Sequence, residues 1–65
     1  MWIKLTRYST NDTILVNTDN ITCVLTGQED EVYEDITLVY FTDGHFTPVE
    51  ETVEEVERLI LFGRL

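Results

Sequence analysis

Two residues in this sequence have side chains suited to nucleophilic or acid–base chemistry. His45 is the one histidine, and it follows a turn signal with no serine or cysteine obviously placed for it to activate. Cys23 lies in the middle of an alternating apolar segment, where a cysteine is more often a small buried hydrophobe than a nucleophile. We therefore expect no catalytic residue in this chain and predict that it is not an enzyme.

A run of carboxylates at 28–35 is the other group with possible chemistry. These residues lack the D-x-[DN]-x-[DN]-G spacing of a calcium-binding loop, and no cluster of histidine and cysteine offers zinc ligands. The sequence thus predicts no metal and no cofactor, and a flexible solvated loop at about 28–35 that serves as an acidic contact surface. Its carboxylates are Glu29, Asp30, Glu31, Glu34 and Asp35.

The charge of the chain limits its partners. Thirteen acidic residues against four basic ones give a net charge of −9, which would repel the phosphates of DNA or RNA. The same charge permits a basic protein partner, although solubility is a plainer reason for it. We expect no nucleic acid among the partners.

Length and composition predict a single domain over 1–65 with a thin core. One cysteine cannot form an internal disulfide and fits a reducing interior, and no apolar run is long enough for a signal peptide or a membrane span. We therefore expect a cytoplasmic protein without a membrane partner. Self-association is the remaining common route by which so small a domain gains stability, so a homo-oligomer is predicted.

Apolar residues recur mainly with a period of two, which is typical of β-strands. The predicted strands centre on residues 3–5, 14–16, 21–25, 36–41 and 45–49. A two-residue turn at 43–44, an Asp-Gly pair, would pair Phe41 with Phe46. The same register would pair Leu38 with Val49.

The last element is predicted to be an amphipathic helix that begins at Val53. Thr52 and Glu55 have the spacing of a capping box, in which each side chain bonds to the other residue's backbone N–H. The expected fold class is α+β, a small antiparallel sheet or half-barrel of about five strands with one C-terminal helix. The apolar arc of the helix comprises Val53, Val56, Leu59 and Ile60.

Strand alternation then divides the apolar residues between two faces. If Leu38 and Val49 face the helix together with Ile36 and Tyr40, the residues between them face a side that has no second helix. Two arrangements stay open: the sheet curls into a half-barrel around that side, or that side contacts another protein. The predicted interaction residues are Val39, Phe41 and Phe46 on this face, with Leu61 and Phe62 outside the helix arc.

Further apolar residues fall on the same uncovered side in this alternation. They are Trp2, Leu15 and Val24.

Three segments together resemble the FlbD-like small proteins: I-K-L-T-R at 3–7, L-V-N at 15–17 followed by N-I at 20–21, and V-E-E-T-V-E-E-V at 49–56. The resemblance covers most of the chain except 28–35. It implies short strands followed by one helix, and an accessory, protein-binding character without catalytic residues. Some members of that family are encoded among flagellar genes, and others are phage or bacterial proteins of unassigned role.

Two functions are consistent with these observations. The first is a small acidic, non-enzymatic interaction or accessory module that self-associates. The alternative is an acidic inhibitor or nucleic-acid mimic, for which a phage is one candidate source, whose carboxylates at 28–35 and on the helix occupy a basic protein surface.

Overall fold

A computed structural model of the protein describes residues 1–28 and 32–63 as five antiparallel strands followed by one helix. The predicted α+β class with a C-terminal helix is confirmed. Strands β1 and β2 form one sheet, and a second sheet has the order β3-β4-β5. The elements are β1 (Trp2–Thr6), β2 (Thr13–Asn17), a short 3₁₀ helix (Thr18–Asn20), β3 (Ile21–Thr26), β4 (Thr37–Phe41), β5 (Phe46–Val49) and α1 (Val53–Phe62).

The two sheets join at one end of β1 and wrap around a common core. Arg7 forms an isolated antiparallel bridge with Val49, and the Tyr8 N–H donates to the Pro48 carbonyl at 3.0 Å. The Glu50 N–H donates to the Thr6 carbonyl at 2.9 Å. Among the described residues, the order across the curled array is therefore β2-β1-β5-β4-β3, with β2 and β3 at its two edges.

The β1–β2 hairpin follows the predicted alternation. Ile3 pairs with Val16, and Leu5 pairs with Ile14, so that these apolar side chains share the inner face. Ile3, Leu5 and Val16 are buried, whereas Leu15 on the outer face is exposed. The period of two therefore places one face of this hairpin in the core and the other in solvent.

The β4–β5 hairpin differs from its predicted register by one residue. The loop has three residues, 42–44, because the Phe41 N–H donates to the His45 carbonyl at 2.9 Å. Gly44 closes this loop with φ of +91°, a left-handed conformation that glycine adopts readily and that three-residue hairpin loops use. Tyr40 consequently pairs with Phe46, and the predicted pairing of Phe41 with Phe46 is wrong.

This shift of one residue exchanges the two faces of the sheet. Val39 and Val49 are fully or almost fully buried in the core cluster, and the half-buried Phe41 and Val24 pack against it. The prediction that Val39, Phe41 and Val24 lie on an uncovered face is therefore wrong. The prediction that Leu38 faces the helix side together with Val49 is wrong for the same reason.

The second face of the three-stranded sheet carries an aromatic cluster. Phe46 lies there as predicted, with its ring centroid 5.3 Å from that of Tyr40. The Tyr33 ring meets Phe46 edge to face at 5.8 Å. Leu38, whose pairing with Pro48 places it on this face, is only 2% exposed. The segment before β4 thus covers part of the face that the sequence suggested was open.

The described part of the acidic segment is held to the sheet by its backbone. The Asp35 N–H donates to the Gly27 carbonyl at 3.3 Å, and the Gly27 N–H donates to the Ile36 carbonyl at 2.9 Å. Glu29, Asp30 and Glu31 lie outside the described residues, so the predicted flexible loop at about 28–35 stays a prediction.

Helix α1 begins at Val53, as its sequence predicts. The Glu55 N–H donates to the Thr52 hydroxyl at 3.1 Å, and the Thr52 N–H donates to the Glu55 carboxylate at 2.8 Å. Gly63 ends the helix in the left-handed conformation that favours glycine. Val56 is fully buried and the helix packs against β1 and β3, which confirms the predicted apolar arc.

Candidate functional site

His45 follows the hairpin turn, as the sequence predicts, and its side chain is exposed. His45 Nδ1 lies 3.1 Å from Asp43 Oδ2, and the His45 N–H donates to Asp43 Oδ1 at 2.9 Å. These hydrogen bonds, led by the one from the backbone N–H, hold the pKa of the Asp43 carboxyl below its usual value. The pair stabilises the turn and belongs to none of the larger cavities described below.

Cys23 is exposed, so the prediction that it is buried is wrong. The cause is a bulge in β3: Ile21 pairs with Phe41 and Cys23 pairs with Tyr40, which leaves Thr22 as an extra residue. Beyond the bulge the alternation is reversed, and Cys23 points away from the core.

We expect a water-soluble thiol reagent to label Cys23 stoichiometrically in the native protein. An exposed thiol needs no unfolding to react, so urea should change the labelling rate little. A Cys23→Ser variant is the blank for this measurement. Labelling that starts only as the protein unfolds would mean that Cys23 is buried in the folded state, which would contradict this prediction.

Carboxylates dominate the polar surface, and few of them have a cation beside them. Among the described residues, one ion pair joins Arg7 to Asp12 at 3.5 Å, and Asp43 has the His45 ring beside it. A hydrogen bond from the Thr10 hydroxyl, with Arg7 nearby, lowers the pKa of Asp12. Within residues 1–28 and 32–63, no three side chains of His, Cys, Asp or Glu cluster closely enough to hold a metal ion.

One carboxylate has a specific structural role that no sequence pattern predicted. Glu51 Oε1 and Oε2 accept the Thr6 N–H at 2.9 and 3.1 Å, and Glu51 Oε2 also accepts the Thr6 hydroxyl at 2.9 Å. This contact ties the segment before the helix to the end of β1. No periodic signal could reveal it, because the partners are 45 residues apart in the chain.

The exposed large apolar side chains of the described residues include two neighbouring pairs. On the outer face of the β1–β2 hairpin, Trp2 is 61% exposed and Leu15 is 62% exposed. At the end of α1, Leu61 is 66% exposed and Phe62 is 69% exposed, as their position outside the apolar arc predicts. Of the predicted interaction residues, Leu61 and Phe62 are thus well exposed and Phe46 partly exposed, whereas Val39 and Phe41 belong to the core side.

A cleft of about 470 Å³ lies along β2. Phe41 and Ile14 are both half-buried and line it, which means that the core is incompletely covered at this edge of the array. No local sequence pattern predicts this cleft, since it depends on which strand is left without a second neighbour. The cleft is lined by Trp2, Arg7, Ile14, Leu15, Val16, Asn17, Asn20 and Phe41.

A second, smaller groove of about 280 Å³ lies between α1 and β3. Its apolar lining includes Val24 and Ile60, and the exposed Leu61 stands at the same groove. Glu57 also lines it, so an apolar partner there would meet a carboxylate.

No helix in the described part of the chain has the length and apolar character needed to cross a bilayer. The chain matches no family model, no curated protein and no solved structure.

Proposed function

We propose that this protein is a small cytoplasmic, non-enzymatic interaction module that self-associates. The observation that supports it is the exposure of Trp2, Leu15, Leu61 and Phe62, each more than 60% exposed in a chain of 65 residues. Surface apolar residues are common singly, but neighbouring large ones usually mark a contact. The resemblance to the FlbD-like proteins, with its accessory and protein-binding character, is part of this proposal.

Self-association would also stabilise a fold of this size. A domain of 65 residues has a free energy of unfolding of about 3–10 kcal/mol. Burying one large apolar side chain contributes about 1.5–3 kcal/mol. The free energy gained by covering two such side chains on each copy is therefore comparable with the stability of the monomer. Because only the folded chain associates, this gain also stabilises the folded state.

We expect the solution mass, measured by light scattering, to rise from one to two chains as protein concentration increases. Two copies that each carry a charge of −9 repel one another, so added salt should screen the repulsion and strengthen association. A protein that stays monomeric at millimolar concentration and high salt would contradict the proposal.

The second candidate function is the acidic inhibitor or nucleic-acid mimic. Glu54, Glu55 and Glu57 are exposed on one short helix, and no ion pair among the described residues engages them. For this function, binding to a polylysine probe should weaken steeply with salt, which is opposite to the salt response of self-association. Probe binding that is weak or insensitive to salt would count against it.

A further inference from the structure

We propose that two copies of this chain pair through β2, whose free edges align antiparallel across a two-fold axis at Leu15 and continue the sheet from one copy into the other. The proposal rests on the self-association proposed above and names its surface. The occupant of the β2 edge and of the adjoining cleft is thus a second copy of the same chain.

The first argument is that β2 is an unprotected edge. Natural edge strands usually carry a lysine, a proline or a bulge that prevents pairing with another chain. The sequence of β2, T-I-L-V-N, contains no charge, no proline and no glycine, and its pairing with β1 is uninterrupted. The edge strand β3 instead contains the bulge at Thr22 and has α1 packed against it.

The second argument concerns the direction of the backbone groups. Thr6 uses its N–H and C=O outside the hairpin, toward Glu51 and Glu50, whereas the Arg7 N–H donates to the Asp12 carbonyl inside it. Along each strand of an antiparallel pair, successive residues direct their N–H and C=O groups alternately into and out of the hairpin. In β2, therefore, the residues whose N–H and C=O point to the free edge are Thr13, Leu15 and Asn17.

The third argument is that β2 is complementary to itself. Antiparallel pairing about Leu15 sets Leu15 against Leu15 of the second copy, and both residues present outward N–H and C=O groups. The same pairing sets Thr13 against Asn17, polar against polar, on the outer face. Ile14 then opposes Val16 on the inner face, where β-branched pairs pack well. Strand β2 has one polar residue at each end and three apolar residues between them, so its polar and apolar pattern is the same in both chain directions.

The fourth argument is that the core is open at this edge. Ile14 and Phe41 are only half-buried and line the cleft of about 470 Å³ beside β2. A strand added at the edge would lie across the mouth of this cleft and cover both side chains. The exposed Trp2 and Leu15 stand on the outer side of the same edge.

Charge also favours a second copy at this surface. Two chains of charge −9 can approach only where carboxylates are few, and β1 and β2 contain none. Lys4, the one charged residue in these strands, is the register partner of Leu15. Asp12, just before β2, is already paired with Arg7 at 3.5 Å.

The expected dimer is weak. Pairing two five-residue strands and covering two apolar side chains from each copy falls at the low end of interface sizes. We therefore expect a dissociation constant in about the micromolar range. Dilution should then dissociate the dimer without unfolding either chain.

The test compares Leu15→Lys with Leu61→Lys by sedimentation equilibrium. Both leucines are about equally exposed, at 62% and 66%, and both changes make the net charge one unit less negative. At the two-fold axis, lysine at position 15 faces its own copy and lies beside Lys4, so the dissociation constant should rise at least about tenfold. Leu61→Lys should leave the dissociation constant unchanged or lower it slightly.

The outcomes separate the two proposals. A dimer weakened by Leu61→Lys but not by Leu15→Lys would keep self-association and overturn the β2 contact. A wild-type protein that is monomeric throughout would overturn both. Because Leu15 is exposed, Leu15→Lys should keep the fold, and circular dichroism checks that it does. If the lysine variant does not fold, Leu15→Thr, which adds no charge, provides the same comparison.

Discussion

Leu5→Ala should lower the free energy of unfolding by about 2–5 kcal/mol, which is a large fraction of the total for a domain of this size. Leu5 is 1% exposed and belongs to the cluster that brings together β1, β2, β4, β5 and α1. Truncation removes buried methyl groups and leaves a cavity that several different elements would have to shift to fill. Urea unfolding followed by circular dichroism measures the change.

Leu15→Ala is the matched control, since it makes the same chemical change on the opposite face of the same hairpin. Leu15 is 62% exposed, so its truncation should change monomer stability by no more than about 0.5 kcal/mol. The comparison belongs at low protein concentration, where the proposed dimer is dissociated. Equal losses at the two positions would mean that the hairpin does not present one face to the core.

Glu51→Ala should cost about 1.5–3 kcal/mol, the range for hydrogen bonds to a charged group. The Glu51 carboxylate accepts both the backbone N–H and the hydroxyl of Thr6, and those donors would lose their partner. The loss is expected even though removing one carboxylate reduces the self-repulsion of an acidic chain. The variant therefore tests whether the stability lost with these hydrogen bonds exceeds the stability gained by removing one negative charge.

Glu50→Ala is the control for Glu51→Ala. Glu50 is exposed and reaches β1 through its backbone N–H, which the substitution leaves in place. Both variants remove one negative charge, so the difference between them isolates the hydrogen bonds to Thr6. A difference near zero would show that the Glu51 contact adds nothing to stability.

Local signals predicted the elements of the fold well. The capping box at Thr52 and Glu55 and the arc around Val56 depend on neighbours within a few residues, and both are present. The period of two in β1 and β2 was equally informative, because neither strand contains a bulge.

Register was the part that local patterns could not settle. Asp43-Gly44 is compatible with loops of two or three residues, and the three-residue loop exchanged the faces of Val39 and Leu38. The bulge at Thr22 did the same for Cys23 in β3. In each case one additional residue moves the side chains that follow it to the opposite face of the sheet. A local difference of one residue thus changed which apolar residues form the core.

The candidate site was predictable only where it depended on one element. Leu61 and Phe62 follow from the helix arc alone, and both are exposed. The importance of Leu15 depends instead on which strands stand at the edges of the array, and that is decided by the contact of Val49 with Arg7, far apart in the chain. Contacts between residues so far apart in the chain produce no periodic pattern in the sequence.

Amide hydrogen exchange of Leu15, followed by NMR at several protein concentrations, tests self-association through β2 most directly. The Leu15 N–H points to the free edge, so it should exchange rapidly in the monomer and become protected as the dimer forms. The Ile14 N–H, which faces β1, is the internal reference and should be protected at every concentration. If the solution mass doubles while the Leu15 N–H still exchanges rapidly, the two copies meet at another surface and the β2 contact is wrong.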